Sequence, residues 1–131
     1  MKKSSKSLAG KRLVDLIVMS VQEKRGEKIA VIDHRKSVAF ATADYFIICE
    51  SETSVQNRAI ADAIIDSCAE KETRPWHQEG IDEGRWILLD FSDVVVHIML
   101  SELRSYYNLE GLWETGIRTD VPDVKDEFDK S

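Results

Sequence analysis

The stretch Asp44-Tyr45-Phe46-Ile47-Ile48-Cys49 leaves a folding chain few options. Aromatic and β-branched residues follow one another without a polar break, so a strand built from them has no face suited to water. It must be covered on both sides, which calls for helices layered on a sheet. Residues 85–90 and 94–100 form two more apolar runs around a tight turn at Phe91-Ser92-Asp93, the pattern of an antiparallel hairpin. Residues 28–33 read as a further short strand, and Pro75 limits any strand after it to a short or edge position.

Helices fill the gaps. Leu13, Leu16, Ile17, Ser20 and Val21 recur at helical spacing, with an end near Arg25-Gly26. Thr53-Ser54-Val55-Gln56 fits a capping box, in which Thr53 accepts from the backbone N–H of Gln56 and Gln56 reaches back. Ala59, Ile60, Ala63, Ile64 and Cys68 then mark one buried face of a helix running to about Glu72. A last helix over 101–107 has Ser101 as its expected cap. The order α-β-β-α-β-β-β-α gives an α/β class: a mixed sheet flanked by helices.

At 131 residues this is one core with two unlike ends. Residues 1–12 form a basic arm of charge +5; residues 13–114, the domain proper, carry -9; residues 115–131 are an acidic tail of charge -2, expected to be disordered. An acidic domain is a poor grip for nucleic-acid phosphates and suits a basic protein partner better. Direct contact of the arm with RNA stays open at this level. Cys49 and Cys68 show no zinc-ligand spacing and read as small buried hydrophobes in a reducing compartment. No stretch has the length of a membrane span, so the expected setting is soluble and cytoplasmic.

Asp90, Asp93 and His97 are the candidate chemistry. As a metal or acid–base set they are badly spaced: on an extended strand positions 93 and 97 lie roughly 13 Å apart, against metal–ligand bonds of about 2.0–2.2 Å. Asp and Ser in the turn have a simpler role as hydrogen-bonding turn residues. None of Ser51, Ser54 and Ser92 sits in a nucleophile elbow, and no glycine-rich phosphate loop occurs. The residues therefore give no enzyme and no cofactor; a divergent metal-dependent nucleotidyltransferase or hydrolase built on Asp90, Asp93 and His97 is the alternative. The aromatics say more. Trp86, Phe91, Tyr106, Tyr107 and Trp113 cluster in one part of the chain. Alternation puts Trp86, Leu88 and Asp90 on one face of their strand and Arg85, Ile87 and Leu89 on the other. In the next strand Val94, Val96 and Ile98 should face the core, leaving Val95, His97 and Met99 outward or towards a partner.

Three blocks in order, 44–49, 83–97 and 104–113, resemble the ribosomal silencing factor (Iojap) family over about residues 11–114. The turn position that is usually Gly in that family is Ser92 here. The resemblance implies a nucleotidyltransferase-like fold without nucleotide chemistry. Catalytic members of that superfamily use a Gly-Ser pair and an Asp-x-Asp pair, whereas this chain has Ser51-Glu52-Thr53-Ser54, and Asp90 and Asp93 stand three apart. It further implies binding to the large ribosomal subunit through a basic protein on its intersubunit face, blockage of small-subunit joining, lowered translation, and a possible role in large-subunit assembly. Carried over to this sequence, the partner-binding residues are Trp86 as aromatic anchor, Asp90, Asp93 and His97 beside it, and Tyr107, Leu109 and Trp113 from the C-terminal block. Self-association as a homodimer, through a sheet edge or the hairpin, is compatible with this role.

Overall fold

A computed structural model describes residues 7–36, 43–108 and 116–124. In chain order the elements are α1 (Gly10–Glu23), β1 (Glu27–Asp33), β2 (Tyr45–Ser51), α2 (Ser54–Ala69), β3 (His77–Glu79), β4 (Trp86–Asp90), β5 (Val94–Leu100), α3 (Ser101–Tyr107) and β6 (Ile117–Val121). They form one six-stranded sheet in the order β3-β4-β5-β2-β1-β6. Only β2 and β5 run parallel, joined across α2; the other neighbours are antiparallel. The fold is the mixed, helix-flanked α/β sheet expected from the sequence. β2, the all-apolar run, is buried along its whole length at the sheet's centre.

The two faces are unequal. On one, α1 and α2 lay Leu13, Val14, Ile17, Val21, Ile60 and Ile64 against Ile47, Ile87, Leu89, Val94, Val96 and Ile98. On the other, Ile32, Phe46, Ile48, Val95 and Met99 make a smaller cluster, with Leu103 of the short α3 packed against it. Both helices on the first face end on residues in the left-handed region, Arg25 after α1 and Glu72 after α2. Paired backbone bonds close each end: Gly26 N–H to Val21 C=O and Arg25 N–H to Gln22 C=O, then Thr73 N–H to Cys68 C=O and Glu72 N–H to Ala69 C=O.

Several expectations need correction. The tail from residue 115 is not structureless, because β6 pairs with β1 over Ile29 to Asp33. Its Ile117-Thr119-Val121 alternation is too short to register as a strand by composition; the pairing that stabilises it comes from a strand more than eighty residues away in sequence. Helix α1 starts at Gly10, inside the stretch assigned to the basic arm. Thr53 caps α2 as expected, accepting from Gln56 N at 3.0 Å, but the Gln56 amide donates to the carbonyls of Lys24 and Arg25 and so fastens α2 to the end of α1. Leu100 holds the cap position of α3, and the Ser101 hydroxyl instead donates to Ser51 C=O at 3.2 Å. Val95 and Met99 are buried rather than outward, since the second face is partly roofed.

Candidate partner-docking face

Register and alternation fix what the second face carries beyond α3. His77 pairs with Asp90 and Asp90 with Val95, while Glu79 pairs with Leu88 and Leu88 with His97. Directly paired residues share a face, so β3, β4 and β5 present His77, Glu79, Trp86, Leu88, Asp90, Val95, His97 and Met99 together. That surface holds two carboxylates and no Lys or Arg.

Trp86 is its structural centre. Its indole Nε1–H donates to His97 Nδ1 at 3.0 Å. Indole nitrogen can only donate, so Nδ1 must be the unprotonated nitrogen and His97 a neutral imidazole. Burial pushes the His97 pKa down to about 4, which keeps it neutral at pH 7. The indole also lies 5.4 Å, centroid to centroid, from Tyr107, and Tyr106 meets Tyr107 edge-on at 4.8 Å. This aromatic run passes from half-buried to open: Tyr107 is 52% and Tyr106 78% exposed. Below it, Arg104 and Glu50 form a buried pair at 3.4 Å, and Arg104 also donates to Lys28 C=O, tying α3 to the sheet.

The loop before β4 is built to hold Trp86 in place. Gly80 has φ +79, and a Cβ there would lie 2.1 Å from the Trp86 carbonyl oxygen. On the loop's other side the buried Asn57 amide donates to Gly84 C=O at 2.8 Å, anchoring it to α2. At the far end of β4, Asp90 Oδ1 accepts from Ser92 N–H at 2.8 Å, and Ser92 sits at φ +85. The turn thus adopts at Ser92 a conformation that glycine prefers, with the Asp90 side chain bracing the serine there.

Of the residues singled out in the sequence, Trp86, Asp90, His97 and Tyr107 lie on this face. Asp93 does not join them: its Oδ2 accepts from Gly10 N–H at 2.6 Å, at the start of α1 on the helix-covered side. Leu109 and Trp113 lie outside the described residues. Trp76 was missed. It is 69% exposed, its ring is 5.4 Å from that of His77, and its backbone N–H donates to Asp90 C=O, so it borders the same face. The available signal was a Trp directly after Pro75 at a strand edge, where nothing is deep enough to bury it.

Among the described residues, no three His, Cys, Asp or Glu side chains converge to hold a metal ion, and no helix is long and apolar enough to cross a membrane. Cys49 and Cys68 are buried free thiols whose pKa values burial raises to about 12 and about 11, far from the reactive range.

Comparison with known proteins fits this architecture. The family model described as ribosomal silencing factor during starvation matches residues 7–131. The chain belongs to the ribosomal silencing factor family. It is 40% identical over 103 residues to ribosomal silencing factor RsfS of Bacillus subtilis, covering 79% of this chain and 86% of that one. It is also 28% identical over 103 residues to the mouse mitochondrial assembly of ribosomal large subunit protein 1, covering 76% of this chain and 44% of that protein. A crystal structure of a Chromobacterium violaceum protein superposes with a TM-score of 0.76 at 27% identity, over 82% of this chain and 88% of that chain. A Bacillus halodurans structure gives 0.70 at 32% identity, over 89% and 100%. The family model extends past residue 114 and so takes in β6.

Proposed function

We propose that this silencing factor binds the large ribosomal subunit in the cytoplasm through a basic ribosomal protein on the intersubunit face, and blocks subunit association by bulk without making or breaking a bond. The observation that carries the reading is the Trp86 indole, fixed by His97 and Tyr107 on a strand surface bearing Glu79 and Asp90 and no cation. A pre-positioned indole contributes apolar area at little entropic cost, and its carboxylate surroundings favour a Lys/Arg-rich protein over bare RNA. The family membership and the mouse relative's name, which ties that protein to assembly of the large ribosomal subunit, support the choice of particle.

The metal-dependent alternative finds no such support. Asp90, Asp93 and His97 are each engaged elsewhere, by Ser92 N–H, Gly10 N–H and the Trp86 indole respectively. Cosedimentation with isolated large subunits at moderate salt tests the proposal. The wild-type chain should travel with the large subunit and leave the small subunit bare; failure to travel with it would refute the reading.

A further inference from the structure

One corner of the molecule departs from its acidic character. Helix α2 ends at Ala69, and residues 70–76 lead from it into β3. Exposure alternates along the last of these: Thr73 is buried, Arg74 exposed, Pro75 half-buried and Trp76 exposed. Arg74 and Trp76 therefore turn the same way, outward. The Arg74 guanidinium and the exposed Lys71 ammonium pair with no carboxylate among the described residues, whereas Lys11, Arg35, Arg104 and Arg118 each do.

Trp76 is held without being covered. Its backbone N–H donates to Asp90 C=O at 3.0 Å, and the His77 ring lies beside the indole at 5.4 Å with a tilt of 35°. The residue stays 69% exposed. Trp86 differs, because its indole N–H is taken by His97 and its ring is flanked by Tyr107.

The basic arm enters the fold at this same corner. The Ser7 hydroxyl donates to Glu72 C=O at 3.2 Å, and Leu8 N–H donates to Thr73 Oγ1 at 2.8 Å, with Leu8 packed against the main core. Six residues of chain span at most about 20 Å, so Lys2, Lys3 and Lys6 are tethered within that distance of Ser7 and the corner it is fastened to. These three lysines with Lys71 and Arg74 outweigh Glu70 and Glu72 by three charges, on a chain whose residues 13–114 carry -9.

Free cations beside an open aromatic ring are the two elements with which proteins hold single-stranded nucleic acid: phosphates go to the cations and a base to the ring. Double-helical RNA keeps its bases stacked inside and cannot use the ring. A basic peptide would be repelled by the same charges, and the acidic remainder of the domain confines an RNA ligand to this corner.

We infer that the α2–β3 corner and the arm tethered to it take a single-stranded segment of large-subunit RNA. One base stacks on Trp76, and neighbouring phosphates meet Arg74, Lys71 and the lysines of the arm. Trp76 borders the face proposed to dock a basic ribosomal protein, and the cations of such a protein lie against RNA, so both contacts fit one particle. The source of the RNA rests on that reading; the chemistry of the corner does not.

Fluorescence anisotropy of a labelled, unstructured RNA oligomer at low salt tests the inference on the full chain, without ribosomes. Wild type should bind, and Trp76→Ala should bind roughly 5- to 150-fold more weakly. Trp76→Phe keeps a ring and should recover most of that loss. An abasic oligomer of equal length offers phosphates without bases, and wild type and Trp76→Ala should bind it equally. Replacing Lys2, Lys3 and Lys6 by Gln should flatten the slope of log affinity against log salt by about 2, the share of three phosphate contacts on a single strand. Trp86→Ala should cost far less than Trp76→Ala. Circular dichroism shows whether each variant is folded; if Trp76→Ala is not, Arg74→Gln replaces it, with a severalfold loss expected. A wild type that ignores the oligomer, or a folded Trp76→Ala that binds it as wild type does, would overturn the inference. So would an equal loss from Trp86→Ala, which would put the RNA on the sheet face. A Trp76→Ala protein that loses the large subunit while keeping the oligomer would make Trp76 a protein anchor and overturn it too. Because the oligomer assay contains no ribosome, failed cosedimentation leaves its result intact, and the reverse also holds.

Discussion

The sheet's two faces are made from the same strands and carry opposite chemistry. On the face under α1 and α2, Ile87, Leu89, Val94, Val96 and Ile98 are fully buried, and the interactions there are close packing of aliphatic groups. On the other face Val95 and Met99 are buried under α3's side of the sheet, but Trp86, Leu88, Asp90 and His97 are only half-covered, and three of these four carry polar atoms. The first face can be read as stability alone. The second keeps an indole, a neutral imidazole and a carboxylate at a water-accessible surface, an arrangement that contributes little to folding and suits contact with another molecule. One residue along the strand separates the two environments.

Mutations at neighbouring positions should therefore fail in different assays. Ile87→Ala removes a fully buried side chain and should destabilise the fold by about 2–5 kcal/mol, read by chemical denaturation. A folded Ile87→Ala protein should bind ribosomes nearly normally. Trp86→Ala should behave in the opposite way, lowering affinity for the large subunit by about 2–4 kcal/mol, roughly 30- to 1,000-fold. If Trp86→Ala changes affinity less than twofold while unfolding the protein, the contrast between the faces collapses.

The acid response sharpens the same comparison. In the unfolded chain His97 has its ordinary pKa near 6.5, and in the fold burial holds it at about 4. Between those values the unfolded state takes up a proton that the folded state refuses, so stability falls as pH drops from about 6.5 to about 4. His97→Gln retains an acceptor for Trp86 but cannot titrate. Its melting temperature should fall less steeply over that window than the wild type's, and equal slopes would assign the acid sensitivity to other groups.

Asp90→Asn should reduce ribosome affinity by less than Trp86→Ala, with the loss shrinking as salt rises, because a carboxylate at the edge of the site acts mainly through screened attraction. Surface plasmon resonance at two ionic strengths reads this; an effect independent of salt would place Asp90 in the turn's architecture only. The smallest expected effect is a gain. Ser92→Gly relieves a left-handed serine and should raise stability by about 0.5–1 kcal/mol with binding unchanged.

Much of this was legible from local pattern. The uninterrupted Tyr45 to Cys49 run announced a doubly covered central strand, and strict alternation around Trp86 and Val94 sorted the residues between the two sides of the sheet, although it left Val95 and Met99 outward where the second face buries them. What escaped was non-local. β6 carries too few apolar residues to announce itself and exists by pairing with β1, whose partner lies far away in sequence. Asp93 looked like a companion of Asp90 because both flank one turn, but its carboxylate goes to the backbone of Gly10, which no spacing within the hairpin could indicate. The bond from Trp86 to His97 is likewise a product of register: the two residues are diagonal neighbours, since Trp86 pairs with Met99.

The central claim is most directly tested by subunit joining. Purified chain is added to isolated large subunits before small subunits, and the formation of joined particles is followed by light scattering. The account predicts that wild-type protein keeps the subunits apart in proportion to its occupancy of the large subunit, and that Trp86→Ala restores joining at the same concentration. Unimpeded joining on large subunits saturated with the wild-type chain would contradict it.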